Sequence, residues 1–447
     1  MGGHARIAIR FSISMQSQIV AATVSDLENI NEGEEVVLNG WVQEIRLLKN
    51  ISFLVLRDHT GTIQITSKPD STSGYDKLAQ MTRETVITVT GTLTRKTQSK
   101  SGIEVLGKSI KVLNASKSPL PLGIIDPVGA DIETRLTNRF LDLRKPEVAL
   151  IFRTESELLW GMREFFHGSG FVEVHTPKIV AAATEGGADL FPVQYFEKQA
   201  YLNQSPQLYK EILISAGMNR VFEVGPAFRA EKHNTPRHLN EFTSIDIEMG
   251  FADHHDAMHM LQEGIKSGLR HLVSHKPDFV ASLSQQIEVP EGDFPKITYR
   301  ECIRKLDSHG ETVKFGDDFT PEQLKLIGTE FTGFYFITEW PSSLRAFYTH
   351  PKPGDETVSN SFDLQYREFE ITSGAQRVHD PAMLEERLRS KNLNPDDFSF
   401  YLNAFRYGMP PHAGWGLGLE RLSLIILNLQ NIREAILFPR DRTRITP

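Results

Sequence analysis

Five short runs of β-branched and aromatic residues, VVLNGWV, ISFLVLRD, GTIQITS, TVITVTGTLT and IEVLGKSIKVL, fall within residues 35–113 of this 447-residue chain. Gly, Asp, Ser and Lys separate them. Runs this short expose unpaired backbone at their edges, and the usual way to remove those edges is closure into a small barrel. The spacing therefore predicts a compact all-β domain at the N-terminal end.

An OB-fold is the barrel that this strand count suggests, and we place it at residues 18–118. Residues 1–17 carry Arg6 and Arg10 and no acid, and are expected as a frayed tail, with Met15 as an alternative start. SPLPLGIIDPVGAD then breaks the pattern, so 119–145 reads as a hinge. From 146 to 447 strands and helices alternate irregularly, beginning with a helical stretch that carries Ile151, Leu158, Met162 and Phe165 on one stripe. That predicts an α+β domain, an antiparallel sheet with flanking helices, and argues against repeated βαβ units.

The net charge of −8 hides a division. Of 49 Lys and Arg and 57 Asp and Glu, residues 1–120 hold 14 and 11, and the remainder hold 35 and 46. The mildly basic barrel is the part that could meet a polyanion. One cysteine, Cys302, excludes an internal disulfide and fits a reducing cytoplasm. No apolar run approaches membrane-span length.

Two segments carry chemistry. FRAEKHNTPRHLNEF, Phe228–Phe242, crowds Arg229, Glu231, Arg237 and His238 between apolar runs, and GWGLGLER places Gly418, Leu419, Glu420 and Arg421 before LSLIILNL. Arginine forks match phosphate oxygens two at a time. A cation in a helix's first turn opposes the helix dipole, so Arg421 asks for an anionic partner. With neither a GxxxxGK[ST] loop nor a GxGxxG turn present, this is another way of holding a triphosphate. DHHDAMH, residues 253–259, has metal-ligand spacing at His255 and His259 but no supporting motif, and reads as a solvated helix face.

FVEVHTPKI ending around Pro177, the Arg229 loop and the Arg421 turn resemble, in order, the three motifs of the class II aminoacyl-tRNA synthetases. QSPQLYK and EITSGAQR resemble the aspartyl members of archaeal type. The resemblance implies aspartate activation by ATP with Mg2+, then transfer to tRNA(Asp) and, in some members, tRNA(Asn), by a cytoplasmic homodimer joined through the Pro177 motif. It implies that Arg229 bridges the amino-acid carboxylate and the α-phosphate, that His238 and Arg421 hold the outer phosphates, and that Arg237 and Leu239 flank them. Glu231 would accept from the adenine amino group and Phe242 would stack on the ring. Asp363, Glu370 and Ser373 are the metal candidates, and a tight hairpin centred on Tyr366 and Arg367 would set the two acids directly opposite.

By the same resemblance Arg377 and Lys210 pair with the substrate's side-chain carboxylate, Glu185 takes its ammonium, and Gln207 and Asp246 line the pocket. Two cations suit a carboxylate better than an amide. In the barrel, Phe53 would stack on an anticodon base, Gln64 would read an edge and Arg46 would hold the backbone. Gln43 and Lys100 occupy the positions that separate members specific for one tRNA from those that charge two, and together they do not decide between the two kinds. Rival readings are an asparaginyl enzyme, a catalytically dead RNA-binding paralogue and an amidating asparagine synthetase.

Overall fold

The computed structural model describes residues 20–95, 102–126, 129–181, 190–232, 235–283 and 287–447. Residues 1–17, Lys100 and Glu185 thus lie outside the described residues. The chain divides into two compact units, Met1–Gly129 and Ala130–Pro447.

In the first unit the five runs become β1 (Glu35–Leu47), β2 (Ser52–Arg57), β3 (Thr62–Ser67), β4 (Val86–Thr94) and β5 (Glu104–Asn114). They pair in the order β1–β2–β3–β5–β4, and β4 returns to β1, which closes the barrel. Alternation sends Val36, Leu38, Leu54, Leu56, Ile63 and Ile65 inward as one core, as a period of two requires. Gln43 is the extra residue where the β1–β2 register slips between Val42 and Glu44.

The second unit is built on a sheet of eight strands: β6 (Val172–Glu173), β7 (Arg220–Phe228), β8 (Glu241–Gly250), β9 (Lys296–Thr298), β10 (Phe334–Thr338), β11 (Ser361–Tyr366), β12 (Phe369–Gln376) and β13 (His412–Gly418). The spatial order is β9–β10–β11–β12–β13–β8–β7–β6. All central pairings are antiparallel, and only the outermost pair at each edge is parallel. Five helices matter below: α1 (Pro146–Gly168), α2 (Gln207–Ser215), α3 (His254–His275), α4 (Ser399–Arg406) and α5 (Leu419–Ile426).

One face of the sheet carries Ile245, Ile247, Phe362, Leu364, Trp415 and Leu417, packed with Leu158, Met162 and Phe166 of α1 and Met258, Leu261 and Ile265 of α3. The residues between them on the same strands, Ser244, Asp246, Ser361 and Gly416, face the other way and line a cavity. The strand period alone thus separates core from site.

Two expectations change. The stretch expected as a hinge does not run to residue 145: helices Ile132–Thr137 and Arg139–Asp142 belong to the second unit. There Arg139, fully buried, pairs with Asp142 at 2.7 Å and donates to the Glu434, Ile436 and Leu437 carbonyls. The β11–β12 hairpin turns on Arg367 and Glu368, not Tyr366 and Arg367, and Arg367 supplies the left-handed residue at φ 54°. That turn pairs Glu370 with Gln365, and a bulge after Leu364 then pairs Asp363 with Ser373. Asp363 and Glu370 are therefore diagonal neighbours and not directly opposite.

Candidate active site

The cavity, about 470 Å³, opens on the polar face of the sheet. Its floor is set by register. Asp363, Ser373, Gly416 and Asp246 form one row across β11, β12, β13 and β8, and Ser361, Ala375, Gly414 and Glu248 form the next. Glycine is required in the middle strand. A Cβ on Gly414 would sit 2.2 Å from the Ile247 carbonyl, and one on Gly416 2.9 Å from Asp246 Oδ1. With no side chains at these two positions of β13 the floor lies low enough to admit a ligand.

At one end stand Arg229, Glu231, Arg237, His238, Leu239 and Phe242, all lining the cavity. Asn240 pins the loop that carries them, donating to the Arg229 carbonyl at 2.6 Å and the Glu231 carbonyl at 3.1 Å. Arg229 lies over the Phe242 ring at 5.3 Å, and Arg237 over Phe369 at 4.4 Å. His238 Nε2 is 3.4 Å from Glu231.

Gly418, Glu420 and Arg421 also line the cavity, whereas Leu419 packs into the core. Glu420 is buried and accepts from the Thr243 amide through both oxygens, at 2.9 and 3.1 Å. It ties α5 to β8, and burial pushes its pKa up to about 7. Arg421 approaches Glu370 at 3.9 Å. Although 46% of the Glu370 side chain is open to the cleft, the surrounding protein and the Asp363 carboxylate push its pKa up to about 7, against the pull of Arg421 and Arg345.

Arg345 was not singled out from sequence. It donates to Asp363 Oδ2 at 2.7 Å and to Ser373 Oγ at 3.1 Å, so it occupies the metal candidates' own row. It lies in irregular chain after a short turn, and no motif marks it. Asp363 Oδ1 is buried with no hydrogen-bond partner.

At the other end Gln207, Asp246 and Arg377 line the cavity, but Lys210 does not. Lys210 is buried beneath the floor, where its ammonium donates to Asp246 Oδ1 and the Trp415 carbonyl, both at 3.0 Å, and lies 3.4 Å from Glu248. An ammonium has three protons, and two of them are thus held by the floor. Arg377 donates through Nε to Glu248 at 3.1 Å, and through Nη2 to Glu248 and Gln207, both at 3.3 Å. Burial works against its charge, but the Glu248 and Glu211 carboxylates outweigh it and hold its pKa above the ordinary value.

The expectation of two cations awaiting one carboxylate is thus corrected: Asp246 and Glu248 already balance Lys210 and Arg377. Glu248 was missed because, on sequence, it is one more acid in a strand. Lys210→Met should destabilise the protein by about 3–5 kcal/mol, since it leaves the buried Asp246 carboxylate without its cation. Urea unfolding of both proteins measures this directly.

In the first unit, register sets Arg46, Phe53 and Thr66 in one row and Glu44, Val55 and Gln64 in the next. Phe53 is half-buried and points away from the barrel core formed by its neighbours Leu54 and Leu56. Gln64 donates to Glu104 at 2.9 Å. His255 and His259 are exposed on α3. Among the described residues no cluster of three or more His, Cys, Asp or Glu could hold a metal.

Comparison with known proteins follows the same division. Residues 131–442 match the family described as tRNA synthetases class II (D, K and N), and residues 36–113 match the OB-fold nucleic acid binding domain. An aspartate–tRNA(Asp) ligase of Thermoplasma volcanium is 61% identical over 95% of this chain and 99% of its own length. An aspartate–tRNA(Asp/Asn) ligase of Archaeoglobus fulgidus is 48% identical over the same shares. Among solved structures, asparaginyl-tRNA synthetase from Pyrococcus horikoshii with asparaginyl-adenylate superposes at TM-score 0.87 and 33% identity, covering 93% of this chain and 97% of that one.

Proposed function

This chain belongs to the class II tRNA synthetases of the D, K and N group, and on that premise we propose that it is an aspartate–tRNA ligase. Aspartate attacks the α-phosphate of ATP through its α-carboxylate, giving aspartyl-adenylate and pyrophosphate. The 3′-terminal hydroxyl of tRNA(Asp) then attacks the aspartyl carbonyl of the adenylate, forming the ester as AMP leaves.

One observation carries the reading: the cavity presents arginine donors at both of its ends. Arg229 and Arg421 serve its phosphate end, and Arg377 serves the amino-acid end. Phe242 and Asp246, four residues apart on β8, fix the separation at about 13 Å, a span that suits an aminoacyl-adenylate. Bringing a carboxylate to a phosphate is mainly a matter of neutralisation and alignment. Arg229 does this between the two groups, Arg421 and His238 hold the outer phosphates, and Phe242 and Glu231 receive the adenine. Asp246, oriented by Lys210, faces the substrate ammonium. Relatives at 61% identity are named for aspartate and tRNA(Asp), which favours aspartate over the asparagine of the structural neighbour.

Asp363, Glu370 and Ser373 suit Mg2+. They offer only oxygen, one buried atom of Asp363 lacks a partner, and two carboxylates leave coordination for substrate phosphates. When bound, the ion would supply charge neutralisation at the phosphates. The segment around Pro177 suits a homodimer contact, since Val172 and Ile179 are 49% and 47% exposed on either side of it. No helix of the described residues is long and apolar enough to cross a membrane. The tRNA substrate and a lone cysteine fit a reducing cytoplasm, to which we assign the enzyme.

Charging of tRNA(Asp) and tRNA(Asn) transcripts tests the second step: the first should be aspartylated, and failure with both would remove the reading. Relatives at 46–49% identity are named for both tRNAs, so the tRNA(Asn) transcript decides breadth. Phe53→Ala should raise the KM for tRNA roughly 5- to 150-fold, the loss of one base stack of about 1–3 kcal/mol. Pyrophosphate exchange without tRNA should be unchanged in the same variant.

A further inference from the structure

Behind the amino-acid end of the cavity lies a buried group that the two reaction steps do not use. Glu211 of α2 and His412 of β13 are both fully buried, and neither lines the cavity. Glu211 Oε2 accepts from His412 Nε2 at 2.9 Å and from the Tyr401 hydroxyl of α4 at 2.7 Å, and Oε1 accepts from Gln207 Nε2 at 2.6 Å. His412 Nδ1 faces the Pro410 carbonyl at 2.8 Å. Both ring nitrogens meet acceptors, so both donate, and the ring is an imidazolium. Burial works against the Glu211 charge, but its bonds and the nearby cations outweigh it and keep its carboxyl below the ordinary range. The other ionisable neighbours are Arg377, whose amide bonds the His412 carbonyl at 2.8 Å, and His379.

The chain of bonds has one polarity. A carboxylate only accepts, so Glu211 fixes the NH2 group of Gln207 toward itself and the carbonyl toward Arg377 Nη2. A guanidinium only donates and needs that carbonyl. With Nε and Nη2 so engaged, Nη1 is the part of the fork available to a ligand. Counting charges, Lys210, Arg377 and His412 balance Asp246, Glu248 and Glu211.

Building on the aspartate reading, we propose that Glu211, His412 and Tyr401 are positioning residues for Arg377, and that the His412 charge, by cancelling Glu211, sets the preference for aspartate over asparagine. Removing that charge leaves a net negative wall that opposes a carboxylate and not an amide.

The test uses full-length protein and pyrophosphate exchange. His412→Gln should raise the aspartate KM about tenfold or more, with the ATP KM and the inhibition constant of asparagine unmoved. Tyr401→Phe removes a bond without a charge and should leave the ratio of aspartate KM to asparagine inhibition constant unchanged. An unchanged aspartate KM in folded His412→Gln, or a parallel rise for ATP or asparagine, overturns the proposal. If His412→Gln does not fold, His412→Asn, which removes the same charge from a smaller side chain, decides by the same criteria. Wild-type protein that shows no exchange with aspartate would instead overturn the aspartate reading itself.

Discussion

Changing Glu370 to alanine should reduce aspartate-dependent pyrophosphate exchange by about 10²- to 10³-fold, the scale seen when one preorganised electrostatic group is lost. Three features support a role for Glu370 in the proposed reaction. Its carboxylate lines the cavity. It stands 3.9 Å from Arg421, a first-turn helix cation that the helix dipole disfavours and an anion must offset. It also shares its corner with Asp363, and burial together with that like charge raises its pKa. Alanine removes the hard oxygen and leaves Arg421 without that carboxylate. Because Glu370 is half open to the cleft and not a core residue, the variant should fold normally. Near-normal exchange at saturating magnesium would take Glu370 out of the site.

Arg377→Leu should raise the aspartate KM about 10- to 150-fold, the equivalent of one charge-assisted hydrogen bond of about 1.5–3 kcal/mol, and leave the ATP KM nearly unmoved. An interaction present equally in ground and transition states appears in KM. The structure adds a second expectation. Glu248, fully buried, would lose its bonds to Arg377 and keep only Lys210 at 3.4 Å, so the variant should also be less stable by about 3–5 kcal/mol. Kinetics must therefore be measured below its unfolding transition. Lys210→Met, in contrast, acts on stability and on Asp246, without removing a direct ligand. An aspartate KM unchanged in folded Arg377→Leu would sink the specificity pocket.

What could be read from sequence follows from which physical signals are local. The barrel strands declare themselves because a half-buried strand alternates, and Leu54 and Leu56 against Phe53 and Val55 show that alternation directly. The Arg229 loop is legible because so many charges between two apolar runs have no core to enter. Lys210 and Arg377 could be singled out by residue type, but their partner Glu248 is 38 and 129 residues away, and only the sheet register joins them. A turn one residue later than the spacing suggested was enough to move Glu370 out of the row of Asp363, and the bulge after Leu364 then carried Asp363 on to Ser373, since a one-residue slip changes every pairing beyond it. Arg345, in irregular chain, and His412, beside two prolines, carry no periodic signal. Their positions come from packing alone.

Everything proposed for the site rests on the cavity activating aspartate. ATP–pyrophosphate exchange by the purified full-length protein, run side by side with aspartate and asparagine, measures that step without tRNA. Saturable exchange is expected with aspartate, and a kcat/KM for asparagine lower by roughly 10⁴-fold, the discrimination that a buried polar pocket achieves without editing. Equal or better exchange with asparagine, or none with either amino acid, would contradict the assignment.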